Sequence, residues 1–358
     1  MEAIVFEKDR FQELREELLE RRAKTDIVVA ANKLHMTGEG NLTVPIPKSD
    51  GDAVSGKPTR WAESQIAEYI GMPTAYYRKM ATYPDLFAYN ANYWLEKSGD
   101  LRLVRIFRNE VIAFLSNAYR AIDSYDVATA VMESANRTLA AQNLTMQVSR
   151  ASITEKVFDL WVMTLEHPIE YPDGEKYQLG MHVRNSDVGA ASFVVEAMIV
   201  RRSCSNGMIF GDSIDQRHIG KRLQEGDIWS QRTTELNTAL TVSQVDDMTK
   251  YSFDVTNAKK FADSLQGLKN EPIEVSAKYI DATERILKLS EEDKDSIWKK
   301  VRENNKYELV QAVTAYANDL FKGTKPDPEK ATKMQKIGGE LVQSRSIWDQ
   351  IKKESEKN

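Results

Sequence analysis

From Leu101 to Cys204 the apolar residues of this chain fall in short unbroken runs, whereas on both sides of that stretch they recur every third or fourth position. A helix needs a period near 3.6, while a strand alternates or, when covered on both faces, runs solid. A sequence divided in this way builds a sheet from its middle and helices from its flanks, an α+β fold. Leu101–Phe107 and Val111–Leu115 flank Arg108-Asn109-Glu110 and predict a hairpin. Further strands are expected over 145–153, 157–165, 177–184 and 190–204, the last running into Ser205-Asn206-Gly207, and Tyr125–Gln142 has helical spacing. Beyond Gly211 the pattern reads as helical, and from about Thr238 only helices are expected.

Upstream, residues 7–24 form an amphipathic helix, and 28–58 read as an extended, loop-rich arm punctuated by Gly38, Gly40, Gly51, Pro45, Pro47 and Pro58. Thr59 caps a helix that Gly71 closes. Pro73-Thr74 opens a second helix, which ends at Pro84, and a polar helical segment follows from Asn90 to Lys97. The expected architecture is a central antiparallel, hairpin-rich sheet packed on helices, with a helical hairpin before it and a helical region after it. Its segments are an N-terminal helix and arm (1–58), an α+β core (59–245) and a helical C-terminal region (246–358).

Composition removes several classes of function. With 41% apolar residues, 11 Phe, 14 Tyr and 6 Trp among 358 residues, the chain has ample material for a core. No apolar run reaches the roughly 18 residues of a membrane span, and the first residues lack a basic-then-apolar leader. A cytoplasmic protein, in a host cell if phage-encoded, with no membrane partner is expected. The lone Cys204 permits no internal disulfide and, without a neighbouring base, reads as a small buried hydrophobe rather than a nucleophile. His35, His167, His182 and His218 show no metal-binding spacing, and neither a phosphate-cradling loop nor a dinucleotide turn is present. The acidic runs Asp246-Asp247 and Glu291-Glu292-Asp293 read as solvated faces. No enzyme, cofactor or metal is expected.

The net charge of −5 means that any nucleic-acid contact must come from a local concentration of bases. Two segments qualify. In 65–80, small Ala67, Gly71 and apolar Ile66, Ile70, Met72, Tyr77 and Met80 stand where a helix-turn-helix needs them, with Thr74, Ala75, Tyr76, Arg78 and Lys79 on the reading helix. The same spacing serves any helical hairpin on a core. In 197–222, Arg201, Arg202, Arg217, Lys221 and Arg222 outweigh Asp212 and Asp215 to give a local +3. Arginines on a strand followed by a basic helix would form a trough for a phosphate backbone, with Arg184 and Arg150 contributing from neighbouring strands. Ordinary surface charge balanced by Glu225 and Asp227 is the plainer account of that stretch. Phe210 and Trp229 are aromatic neighbours better suited to the core.

The order of segments resembles a phage/plasmid-like family known as a domain of unknown function. The likeness lies in Trp61-Ala62-Glu63 through Arg78-Lys79, Asn90–Leu95, Val111–Ser124, Ile199–Met208, Tyr307–Thr314 and Ile337–Leu341, and covers about residues 60–345. The Arg-Arg-Ser-Cys-Ser-Asn run from Arg201 is its most specific piece. The resemblance implies a mobile-element protein. In outline the family is similar to RecT and Red-beta single-strand annealing proteins, which assemble into rings or helices and hold single-stranded DNA without cleaving it. The expectation is a non-enzymatic, homo-oligomeric protein that binds single-stranded DNA in recombination or replication. The alternatives are a duplex-binding regulator using 65–80, or a structural, host-interaction oligomer.

Overall fold

The computed structural model describes residues 4–7, 11–47, 51–119, 122–202, 207–216, 231–322 and 325–357. Along the first third run β1 (Ile4–Glu7), α1 (Phe11–Arg22), β2 (Thr25–Ala30), β3 (His35–Met36), β4 (Leu42–Pro45), β5 (Ala53–Pro58), α2 (Arg60–Tyr69), α3 (Thr74–Met80), α4 (Pro84–Glu96), β6 (Leu101–Phe107) and β7 (Glu110–Ser116). The middle supplies α5 (Ser124–Ala140), β8 (Met146–Ile153), β9 (Phe158–Thr164), β10 (Ile169–Glu170), β11 (Lys176–Asn185), β12 (Phe193–Arg201) and β13 (Gly207–Gln216). After it come α6 (Gln231–Ser252), α7 (Val255–Gly267), α8 (Ala277–Leu287), α9 (Glu291–Trp298), α10 (Lys306–Lys322), α11 (Pro328–Gln343) and α12 (Arg345–Ser355).

The fold is α+β with helices before and after the strands, but the strands form two sheets rather than one. A seven-stranded antiparallel sheet runs β1-β8-β9-β11-β12-β13, with β10 paired to β11. A six-stranded sheet runs β2-β6-β7-β5-β4-β3 and is antiparallel except where β5 meets β7. The expected hairpin is β6–β7. Arg108 and Asn109 both sit at positive φ (49° and 61°), the double left-handed turn whose twist matches two right-twisted strands. Thr59 caps α2 by accepting from Ala62 N, and Gly71 (φ 72°) turns the chain into α3 as the sequence implied.

Four expectations need correction. Residues 28–58 are not an arm: β2 to β5 are strands, of which β3 to β5 are short or broken by Gly and Pro, and pairing with β6 and β7 carries the sheet across the expected break at residue 58. The chain past Gly211 continues as β13 to Gln216, because pairing with β12 overrides the weak propensity of Asp212-Ser213-Ile214-Asp215. Pro84 does not stop a helix but starts α4 in its first turn, where a missing N–H costs nothing. Asp293 is buried: it completes a capping box with Ser290 and accepts from Tyr316 Oη at 2.8 Å and Lys330 Nζ at 2.6 Å.

The larger core lies on one face of the seven-stranded sheet, where Leu160, Val162, Leu179, Met181, Val183, Val195 and Ile199 meet α1, α5, α7 and the C-terminal helices. A second core fills the six-stranded sheet against α2, α3 and α4 through Ile66, Tyr77, Phe87, Ala91, Leu95 and Phe114. On the far side of β13, α11 lies close because Gly338 and Gly339 have no side chains. A Cβ on Gly339 would overlap the carbonyl oxygen of Ile209. Between the sheets sits Arg105, 1% exposed, with two bonds to Asp26 (2.8 and 2.9 Å), one to Asp123 (2.9 Å) and one to the Asp187 carbonyl (2.6 Å).

Candidate functional site

The second face of the seven-stranded sheet collects the polar residues that alternate with its core positions. Opposite Leu179, Met181 and Val183, β11 turns Gln178, His182 and Arg184 the other way, and β9 and β12 add Asp159, Trp161 and Glu196. His182 is wholly buried between Asp159 Oδ1 (2.7 Å from Nε2) and Glu196 Oε2 (3.2 Å from Nδ1). Arg184 grips Asp159 with two bonds (2.7 and 3.1 Å), and Lys336 of α11 reaches Glu196 at 2.8 Å. Burial alone would raise the Asp159 and Glu196 carboxyls, but the hydrogen bond from His182 and the charges of Arg184 and Lys336 outweigh it, so both titrate below their ordinary values.

This network stabilises the fold at pH values above the ordinary carboxylate range, and its contribution is lost as pH falls through the lowered values of Asp159 and Glu196. Urea midpoints should therefore drop between pH 6 and about pH 3. Asp159→Asn should lower the midpoint at neutral pH and flatten that drop; an equally steep drop in the variant would assign it to other groups.

The trough expected from sequence is only partly in view. Arg217, Lys221 and Arg222, with Cys204 and Trp229, lie outside the described residues. Arg201 is held by Glu175 through both ends of its guanidinium and reaches Gln311 at 3.3 Å. Arg184 is likewise committed to a carboxylate, and Arg150 lies over the Phe321 ring at 4.0 Å. Of the strand arginines, Arg202 is exposed. Phe210 is buried and stacks on Phe261 at 4.6 Å between centroids. In the helical hairpin, Arg78 is bound to Glu63 (3.0 Å) and to the Arg60 carbonyl (3.1 Å), while Lys79 and Tyr76 face solvent.

A different surface presents aromatic rings. Helix α4 buries Phe87, Ala91 and Leu95, and Asn92 fixes it to β3 by taking both backbone groups of Met36 (2.7 and 2.9 Å). Its outer face exposes Leu86, Tyr89 (72%), Tyr93 (44%) and Trp94 (47%). Tyr89 and Tyr93 are stacked at 6.4 Å, Trp94 stands edge-on to Tyr93 at 5.3 Å, and Lys97 Nζ lies 5.0 Å from the Tyr93 ring. Lys33, on the short turn packed against α4, is also exposed. Asp85 and Glu96 share the helix, so its local charge is close to balanced and the rings are its distinguishing chemistry. Sequence reading missed this face because a segment begun at Asn90 splits the row. Started at Pro84, the helix puts Tyr89 and Tyr93 one turn apart on the side away from Ala91 and Leu95, and Trp94 stands exposed beside Tyr93.

No protein-family model matches this chain, and no curated protein or solved structure matches it either. Function must be argued from the geometry. Among the described residues no group of three His, Cys, Asp or Glu side chains is disposed to hold a metal ion, and no helix is long and apolar enough to cross a membrane.

Proposed function

We propose that the protein binds single-stranded DNA without cleaving it, seating bases against the outer face of α4, and that several copies act together to anneal strands in recombination or replication. The observation that carries this reading is the row of exposed rings formed by Tyr89, Tyr93 and Trp94 with Lys97 at its end. Soluble proteins seldom leave such a row uncovered unless it meets something. Every base has a π-face, so stacking tolerates any sequence, and a neighbouring ammonium adds a phosphate contact without reading bases. With Asp85 and Glu96 nearby, stacking supplies most of the affinity on this face. The cytoplasmic setting expected from sequence belongs with this reading.

Replacing Tyr89, Tyr93 or Trp94 singly with Ala should weaken oligo-dT binding roughly 5- to 150-fold, the equivalent of about 1–3 kcal/mol per stacked base. The three together should abolish it while leaving the circular dichroism spectrum unchanged, since the side chains are exposed. Fluorescence anisotropy measures the first effect, and light scattering with and without the oligonucleotide reports the assembly. Unaltered binding by the triple variant would overturn the reading.

A further inference from the structure

Behind the polar face of the seven-stranded sheet, where α10 and α11 cross it, lies a cavity of about 340 Å³, large enough for a small organic ligand. We propose that it binds a nucleoside monophosphate, at a site separate from the α4 surface. Three features of its lining carry this.

The first is charge. Lys322 lines the cavity beside Arg150, which is already engaged over the Phe321 ring, and among the described residues no carboxylate lines it, so Lys322 favours an anion there. Lys322 is exposed at the end of α10, at the edge of the cavity, where a phosphate would keep partial contact with water.

The second is hydrogen-bonding direction. Gln178, nine-tenths buried, donates its amide N–H to the carbonyls of Thr164 (2.6 Å) and Leu165 (3.3 Å), which fixes its orientation and leaves Oε1 as an acceptor without a donor among the described residues. Gln147 is oriented the same way by the Thr164 carbonyl (3.2 Å). Gln335, 4% exposed, is oriented oppositely: its Oε1 accepts from Trp161 Nε1, a group that can only donate, at 3.2 Å, and this leaves its N–H groups to donate. One pocket thus offers fixed acceptors and a fixed donor, the complement of a heterocycle edge that alternates amino, ring-nitrogen and carbonyl groups.

The third is the floor. Met163, Met198 and Val200 supply an apolar, polarisable surface for the flat of a ring. An inorganic anion would use only the Lys322 ammonium, and an apolar ligand would leave buried amides unpaired at a cost. A base joined to a phosphate uses all three features.

The test is isothermal titration of the full chain with AMP, GMP, CMP and UMP, with adenosine and inorganic phosphate as controls. At least one monophosphate should bind, and phosphate or nucleoside alone should bind about tenfold or more weakly. Lys322→Glu, a change at an exposed position, should weaken the monophosphate about tenfold or more and leave the thermal midpoint of the free protein in place. Gln178→Ala should relax discrimination among the four bases. The α4 triple alanine variant should bind the monophosphate as the parent does, which separates failure here from failure of the DNA reading. Absence of binding by all four, equal binding of phosphate alone, or undiminished binding by Lys322→Glu would each overturn the proposal.

Discussion

Arg105→Met should destabilise the protein by about 3–5 kcal/mol, seen as a lowered urea midpoint. Arg105 is the largest of the fully buried side chains, and its guanidinium is charged because the Asp26, Asp123 and Asp187 carboxylates offset the penalty of burial. Methionine keeps much of the volume and removes the charge. Asp123 would retain Lys24 at 2.8 Å, itself 3% exposed, while Asp26 would lose both of its bonds from Arg105 and the Asp187 carbonyl its short donor. The Asp187 carbonyl, left without its donor, costs more than the bond was worth, whereas Asp26, 39% exposed, turns to water. Arg105 also ties β6 to β2 and to the segments that lead into α5 and out of β11, so the loss reaches both sheets. Pairing the change with Asp123→Asn should return part of the stability, because Asp123 and Asp187 would be left sharing Lys24 and the second substitution removes one of those two carboxylates. A loss below about 1 kcal/mol for the single variant would show that water replaces the guanidinium, against the burial described.

Gly339→Ala should be nearly as damaging, at about 3 kcal/mol or more, even though alanine is the better helix former by about 1 kcal/mol. The reason is steric: the added methyl would sit on the carbonyl of Ile209, a backbone atom of β13 that can retreat only if α11 does. Moving α11 would strain the Lys336–Glu196 pair and the Trp161–Gln335 bond, both of which depend on its seating. Gly267→Ala is the matched control, since a Cβ there meets nothing. Thermal midpoints of the two variants should move apart; a shared midpoint would mean that α11 is free to lift.

Much of this fold can be read in the sequence, and what escapes does so for definable reasons. The β6–β7 hairpin, α5, β8, β9, β11 and β12 declare themselves because local pattern and final environment agree. β3 and β4 escape because strands of two and four residues hold at most one or two alternations, too few to stand out, and β13 because cross-strand pairing outweighs its polar residues. The site is harder. A strand arginine looks the same in sequence whether it faces a ligand or a carboxylate, and Arg184 and Arg201 meet Asp159 and Glu175, far away in the chain. His182 seems a solitary histidine until sheet register brings Trp161 of β9 and Glu196 of β12 opposite it. The α4 rings were legible in principle, given the correct first residue of the helix.

The pairing of β1 with β8 sets Ile4 beside Ile153, so β1, once synthesised, waits for about 140 further residues before it has a neighbour. The six-stranded sheet faces no such delay, since all of its members have been synthesised by Ser116. Synthesis at roughly 5–20 residues per second leaves seconds between the two events. A nascent chain therefore carries one finished half and one unclosed rim, and β1 offers its backbone to any passing strand until β8 reaches it.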